Sequence, residues 1–232
     1  EDRVIQDSDI GWYKIDAVLR NKGLFNFYIT TDFATSSKQT ADYCVISVWA
    51  YTLNKKWIWV DGICERQTMN VTIDDLFRLV EEYLPQGVGI EVSGQQGGFI
   101  SWIMREMDDR QIYFNLTQHN GNPGIRPVSD KLSRFNMVVP LFKSGKVYFC
   151  EELKNAKILN IFMEQIALAT KDGIKGKDDC LDTISMIQYM NPWVPGAIPT
   201  VGQESNQPVG AQPWEKSNLD TTESTSFDTY LV

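Results

Sequence analysis

The chain has 232 residues, 43% of them hydrophobic, with seven Trp, eleven Phe and a formal net charge of −8. That length fits one large domain with appendages, at about 150 residues per domain, and the apolar share is ample for a core. No apolar run approaches the roughly 18 residues that span a bilayer, and Glu1–Ser8 lacks the basic and apolar regions of a signal peptide.

Residues 1–23 are polar with one apolar patch (Ile10, Trp12, Tyr13, Ile15, Val18, Leu19) and read as a linker or lead-in segment. The start without Met points to a piece of a longer protein. Leu24–Asp32, Tyr43–Tyr51 and Lys56–Ile63 are rich in aromatic and β-branched residues, which predicts an antiparallel meander. Thr72-Ile73-Asp74-Asp75 resembles a capping box and predicts a helix through about Leu84, with Leu76, Leu79, Val80 and Tyr83 at helical spacing. Val88–Val92 suits a buried strand; Ser93–Gly98 turns into a helix through about Met107. Ile112–Leu116 reads as a further strand and Val128–Asn136 as a short helix.

Val138–Phe142 and Lys146–Phe149, joined by Lys143-Ser144-Gly145, predict a β-hairpin. A helix over about Lys154–Ala169 and another over about Asp178–Met190 follow, the latter stopped by Asn191-Pro192. Residues 196–232 are rich in Pro, Gly, Ser and Thr. They carry Glu204, Glu215, Asp220, Glu223 and Asp228 against Lys216 alone, which predicts a disordered acidic tail holding half of the net charge. The rest is mildly acidic and neither supports nor excludes a nucleic-acid partner.

Cys44, Cys64, Cys150 and Cys180 form no C-x-x-C pair, which argues against a zinc knuckle and for buried thiols in a reducing compartment. The single His119 lies in the polar turn His119–Gly124 and reads as a loop histidine without a catalytic role.

The chemistry concentrates in Lys177-Asp178-Asp179-Cys180-Leu181-Asp182, where three carboxylates crowd a helix start. Capping and the helix dipole account for one or two such acids, hardly three. Like charges this close raise each other's pKa unless a cation is shared. Asp32 and Glu91 belong to two strand-like apolar runs, Phe27–Asp32 and Val88–Val92. The order βββαβα(β)α is that of the ribonuclease H fold: an α/β mixed sheet with helices on both faces, here with an added hairpin. In that fold the first and fourth strands are neighbours and a late helix packs against them, so Asp32, Glu91 and the 178–182 acids would converge. Oxygen ligands of this kind suit two divalent cations, Mg²⁺ or Mn²⁺, for phosphodiester cleavage. At about 100° per residue all three helix acids can face one cleft, with Asp179 the first choice as ligand, then Asp182, then Asp178.

Over about residues 24–195 the sequence resembles the C-terminal nuclease domain of the large terminase subunit of tailed bacteriophages. The resemblance rests on Thr31-Asp32-Phe33-Ala34 with Ala41-Asp42-Tyr43, and on Trp59-Val60-Asp61-Gly62-Ile63-Cys64-Glu65-Arg66. It continues through Ile90-Glu91-Val92-Ser93-Gly94-Gln95 and Gly145-Lys146-Val147-Tyr148-Phe149, and ends in Lys177–Asp182. It implies an endonuclease that cuts concatemeric viral DNA at the start and end of packaging, in the host cell cytoplasm. Catalytic roles are then expected at Asp32, Glu91 and Asp179, metal ligation also at Asp178 and Asp182, and a supporting role at Asp42. A full-length relative also carries an N-terminal packaging ATPase and works with a portal and a small terminase subunit. No G-x-x-x-x-G-K-[ST] occurs here, so this chain alone is expected to hydrolyse no ATP.

Lys143, Lys146, Lys171, Lys175 and Lys177 are expected to contact DNA phosphates beside the acids; other basic residues, Arg66 and Arg134 among them, read as solvated surface. Two alternatives stay open. One is another ribonuclease-H-like nuclease, a junction resolvase or transposase core; the other is a non-catalytic docking module of a packaging motor, with Phe227–Val232 as a partner segment.

Overall fold

Tyr28 and Ile29, neighbours in sequence, point into two different hydrophobic cores, because successive side chains of a strand face opposite sides of a sheet. The structure, a computed structural model, describes residues 3–34, 42–92 and 97–196. Its strands and helices run β1 (Gly11–Tyr13), α1 (Ile15–Leu19), β2 (Asn26–Asp32), β3 (Cys44–Tyr51), β4 (Trp57–Glu65), α2 (Met69–Tyr83), β5 (Gly87–Ile90) and α3 (Gly97–Arg110). They continue with β6 (Gln118–His119), β7 (Asn122–Pro123), α4 (Lys131–Lys143), β8 (Val147–Cys150), α5 (Lys157–Leu168), β9 (Ala169–Thr170), β10 (Gly173–Ile174) and α6 (Asp179–Ser185), which tightens into a 3-10 turn over Met186–Tyr189.

Six strands form one mixed sheet in the order β1-β8-β4-β3-β2-β5. The meander β2–β3–β4 is antiparallel, whereas β5 lies parallel to β2, and β8 parallel to both β4 and β1. All of β3 is buried, as suits its place in the middle of the sheet. One face packs Ile29, Ile46, Val48 and Val60 against α1, α2 and α3. The other packs Tyr28, Trp49, Trp59 and Phe149 against α4, α5 and α6. Helices thus cover both faces, and the first and fourth strands of the predicted succession are neighbours, with Thr31 opposite Ile90.

Several elements differ from the sequence reading. Gly11–Tyr13, inside the segment read as a lead-in, is the edge strand of the main sheet. Helix α2 begins at Met69, with Thr72 inside its first turn donating its hydroxyl to the Thr68 carbonyl. Asp75 accepts from the Gln67 amide at 2.9 Å, so no capping box forms at Thr72. Ile112–Leu116 makes only a single bridge, between Leu116 and Val88.

The largest correction concerns residues 138–149. Val138–Phe142 is not a strand but the second half of α4, with Pro140 inside the helix, and β8 pairs in parallel with strands far from it in sequence. The β-branched run misleads because Phe135, Val138 and Phe142 recur at helical spacing and bury one stripe, and burial outweighs local strand preference. The added hairpins lie elsewhere, at β6–β7 and β9–β10. Of the tail, only Gly196 falls within the described residues, and of the quoted motifs Ala41 and Ser93–Gln95 fall outside them.

Candidate functional site

Asp32 is the last residue of β2 and Glu91 follows the last residue of β5, so the Thr31–Ile90 pairing sets the two acids side by side at one end of parallel strands. Glu91 is held from its other edge as well: Ile125 donates to the Ile90 carbonyl at 2.7 Å and accepts from Val92 at 2.8 Å. That close approach requires Gly124, whose φ is +85° and where a Cβ would stand 2.6 Å from Val92 Cγ2.

Helix α6 brings the other acids over the same strand ends. Asp178 is its N-cap, and Asp179 and Asp182 lie in its first turn, both buried. The first turn is fixed by Gln165 of α5, whose buried Oε1 accepts from the backbone N–H groups of Cys180 at 2.9 Å and Leu181 at 3.3 Å. Thr183 is tied to the sheet through Ser47, hydroxyl to hydroxyl at 3.0 Å. Asp179 Oδ2 accepts from the Tyr43 N–H at 3.3 Å, which joins α6 to the start of β3.

Two cations from α4 complete the cluster, and sequence reasoning missed both. Arg134, with only 4% of its side chain exposed, reaches Glu91 Oε2 at 3.2 Å through Nη1 and Asp182 Oδ1 at 2.9 Å through Nη2. Lys131 Nζ stands 2.8 Å from Asp178 Oδ1 and 2.7 Å from Asp182 Oδ2. The available signal was Asp130: it caps α4 by accepting from the Ser133 N–H, which fixes the helix start and puts Lys131 and Arg134, three apart, on one face.

The electrostatics show how crowded the acids are. Burial pushes the Asp32 carboxyl well above the usual carboxylate range, and the charges of Asp182, Glu91 and Asp179 push the same way against Lys131. Burial also raises Asp179, opposed by the Tyr43 N–H and reinforced by Asp42 and Asp178. Asp182 is pushed up to about 6, its burial outweighing Lys131 and Arg134. Burial works against charge on Lys131, but Asp182 and Asp178 hold its ammonium above the ordinary lysine range. Among the described residues the Asp32 carboxylate accepts no side-chain hydrogen bond and makes no ion pair, although its backbone pairs with Val45.

Five carboxylates therefore face two cations, a surplus of negative charge made of hard oxygen donors. The donor set fits Mg²⁺ or Mn²⁺. It is not closed, however: among the described residues no three acidic, His or Cys side chains approach closely enough to hold a metal ion.

The remaining expected residues divide sharply. Asp42 is exposed and pairs with Lys177 at 2.6 Å, a hydrogen bond that holds its carboxyl below the usual range. Lys177 also stands 5.8 Å from the Tyr43 ring centroid, with the Arg66 guanidinium over the same ring at 4.0 Å. Lys171 and Lys175 lie in and just after the β9–β10 hairpin that leads to Lys177. Lys143 and Lys146 stand elsewhere. Lys143 ends α4 about 18 Å along the helix from Lys131 and pairs with Asp9. Lys146 donates to the Asn54 carbonyl in the β3–β4 turn, at the end of the sheet opposite Asp32. Their expected place beside the acids depended on a hairpin that is a helix. His119 accepts from the Arg126 N–H at 3.3 Å and packs on Tyr189, and all four Cys are buried and free.

A six-stranded mixed sheet, helices on both faces, and acids gathered where two parallel strands end beneath a late helix define the ribonuclease-H-like class. The chain belongs to the terminase RNaseH-like domain family, whose model matches residues 29–191. Its fold is similar to that of the human cytomegalovirus terminase nuclease domain. The Mn-soaked, inhibitor-bound form of that domain matches at 15% identity with a TM-score of 0.54, covering 80% of this chain and 94% of that one. The Mn-soaked form without inhibitor matches at 16% identity and 0.53, covering 81% and 95%. The large terminase nuclease from thermophilic phage G20c with bound magnesium matches at 17% identity and 0.47, covering 70% and 79%. No curated protein matches the chain. No helix among the described residues is long and apolar enough to cross a membrane.

Proposed function

We propose that this domain is a divalent-metal-dependent endonuclease that cuts concatemeric double-stranded viral DNA during genome packaging. The observation that carries the reading is the placement of Asp32 and Glu91 on adjacent parallel strand ends, with Asp179 and Asp182 set over them by α6. Carboxylates gathered so closely that burial and neighbouring negative charge push Asp32 and Asp182 above the usual range are unfavourable in a fold unless they serve a cation. Membership of a terminase family and the manganese soaked into a domain of similar fold point the same way.

In this reading Asp32, Glu91 and Asp179 are the catalytic ligands, and Asp178 and Asp182 lie beside them as further metal ligands. A pair of divalent cations held there would supply an activated water and stabilise the leaving oxygen. The chain's own residues do the positioning. Arg134 holds Glu91 and Asp182 in fixed orientation, Tyr43 orients Asp179, and Gln165 fixes the helix turn that carries Asp179 and Asp182. Lys177, with Arg66, Lys171 and Lys175 nearby in sequence or space, offers phosphate contacts at the rim. Lys143 and Lys146 contribute nothing to this rim. The remaining partners, an ATPase region, a portal and a small terminase subunit in the host cytoplasm, belong to the same proposal.

Cleavage assays on linear duplex and on four-way junctions, each with Mn²⁺, Mg²⁺ or EDTA, test it. Metal-dependent cutting of plain duplex is expected. A strong preference for junctions would indicate a resolvase and overturn the packaging role.

A further inference from the structure

The ammonium of Lys131 sits between two carboxylates, 2.8 Å from Asp178 Oδ1 and 2.7 Å from Asp182 Oδ2. Its position in sequence is unfavourable for a cation: it is the first residue of α4, where the helix dipole presents positive charge. The acids of α6 compensate for that placement. The two α4 cations also differ in freedom. Arg134 has 4% of its side chain exposed and ties two elements together, whereas Lys131 is 50% exposed. A lysine is also a compact point charge on a flexible stem, able to leave a site without rearranging the backbone.

We infer that Lys131 is a tethered stand-in for a divalent cation: it neutralises the Asp178–Asp182 pair in the metal-free protein and leaves that pair when metal binds. This rests on the metal-dependent reading above and adds a specific device to it. The pair is kept assembled by one charge that can be exchanged for two. The exchange sets the metal affinity below what the acids alone would give, and it frees an ammonium beside the cleft when the cation is in place. Arg134 stays, because removing it would leave Glu91 buried without its ion-pair partner among the described residues.

The test uses the full 232-residue chain. Mn²⁺ is titrated calorimetrically into wild type, Lys131→Met and Lys131→Arg, without DNA. Removing the competing charge is expected to tighten Mn²⁺ binding on the order of tenfold in Lys131→Met, with Lys131→Arg close to wild type. Independently, acylation of Lys131 in the wild type, followed by mass spectrometry, is expected to speed up several-fold when Mn²⁺ is saturating, while Lys146 reacts at an unchanged rate. Equal or weaker Mn²⁺ binding in Lys131→Met, or unchanged acylation of Lys131 at saturating Mn²⁺, overturns the inference and leaves the nuclease reading standing. Absence of Mn²⁺ binding by the wild type overturns the metal-dependent reading itself, and this inference with it.

Discussion

Arg134 Nη2 lies 2.9 Å from Asp182 Oδ1, and this contact locks α4 to α6 inside the protein. The same guanidinium reaches Glu91 on β5, so a single side chain braces three elements around the acids. Breaking a buried ion pair by deleting one partner costs about 3–5 kcal/mol, because the other charge stays buried and unpaired. Metal-free Arg134→Gln should therefore lose about that much stability in urea unfolding. A loss below about 1 kcal/mol would show that the two carboxylates do not depend on it.

Acidity gives a second check, with a definite sign. Asp182 sits at about 6 in the folded protein, above the ordinary carboxylate range. The native state thus binds a proton that the unfolded state releases. Stability from this group is full below about pH 4 and is lost as pH rises through about 6. Asp182→Asn does not suffer that loss. The unfolding free energy of the metal-free mutant minus that of wild type should rise between pH 4 and 7, by at most about 3 kcal/mol. A pH-independent difference would contradict the electrostatic picture.

Gln165 is a structural support within reach of the site. Its side-chain carbonyl accepts from two buried N–H groups of α6, which nothing else among the described residues satisfies. Gln165→Leu should cost about 1–3 kcal/mol, as expected for unsatisfied buried donors. Thermal denaturation of the purified variant checks this.

The basic residues separate by position. Neutralising Lys177 should weaken duplex binding and lower the salt slope by about one ion. Lys146→Ala, at the far end of the sheet, should leave both unchanged. Fluorescence anisotropy at several salt concentrations decides. Equal effects at the two positions would mean that DNA lies across a different face.

Much of the site was legible because each acid ends or begins an element. The aromatic and β-branched residues of Phe27–Asp32 and the apolar Val88–Val92 run mark strands, and strand succession then places their acids together. Asp178, Asp179 and Asp182 were visible as a charge cluster at a helix start. The cations were not legible. Lys131 and Arg134 matter through contacts 43 to 51 residues away in sequence, and a solvated helix face looks the same on paper as a buried bridge. The helix expected over Val128–Asn136 carries both cations, but a strand reading of Val138–Phe142 stops it short of the second half of α4. The same error moved Lys143 and Lys146 to the wrong end of the sheet. Gly11–Tyr13 reads as part of a lead-in because three residues carry too little pattern to mark an edge strand.

Relaxation of supercoiled plasmid by wild type, Asp32→Asn and Asp179→Asn, with Mn²⁺, Mg²⁺ or EDTA, decides whether these acids form a metal-dependent nuclease centre. Each variant's fold is checked by circular dichroism. Metal-dependent nicking by wild type is expected, none with EDTA, and a loss of at least about a hundredfold in both variants with their folds intact, since under the proposed function each removes a catalytic ligand. Nicking that persists in folded Asp32→Asn and Asp179→Asn would contradict the assignment of these acids as the catalytic centre.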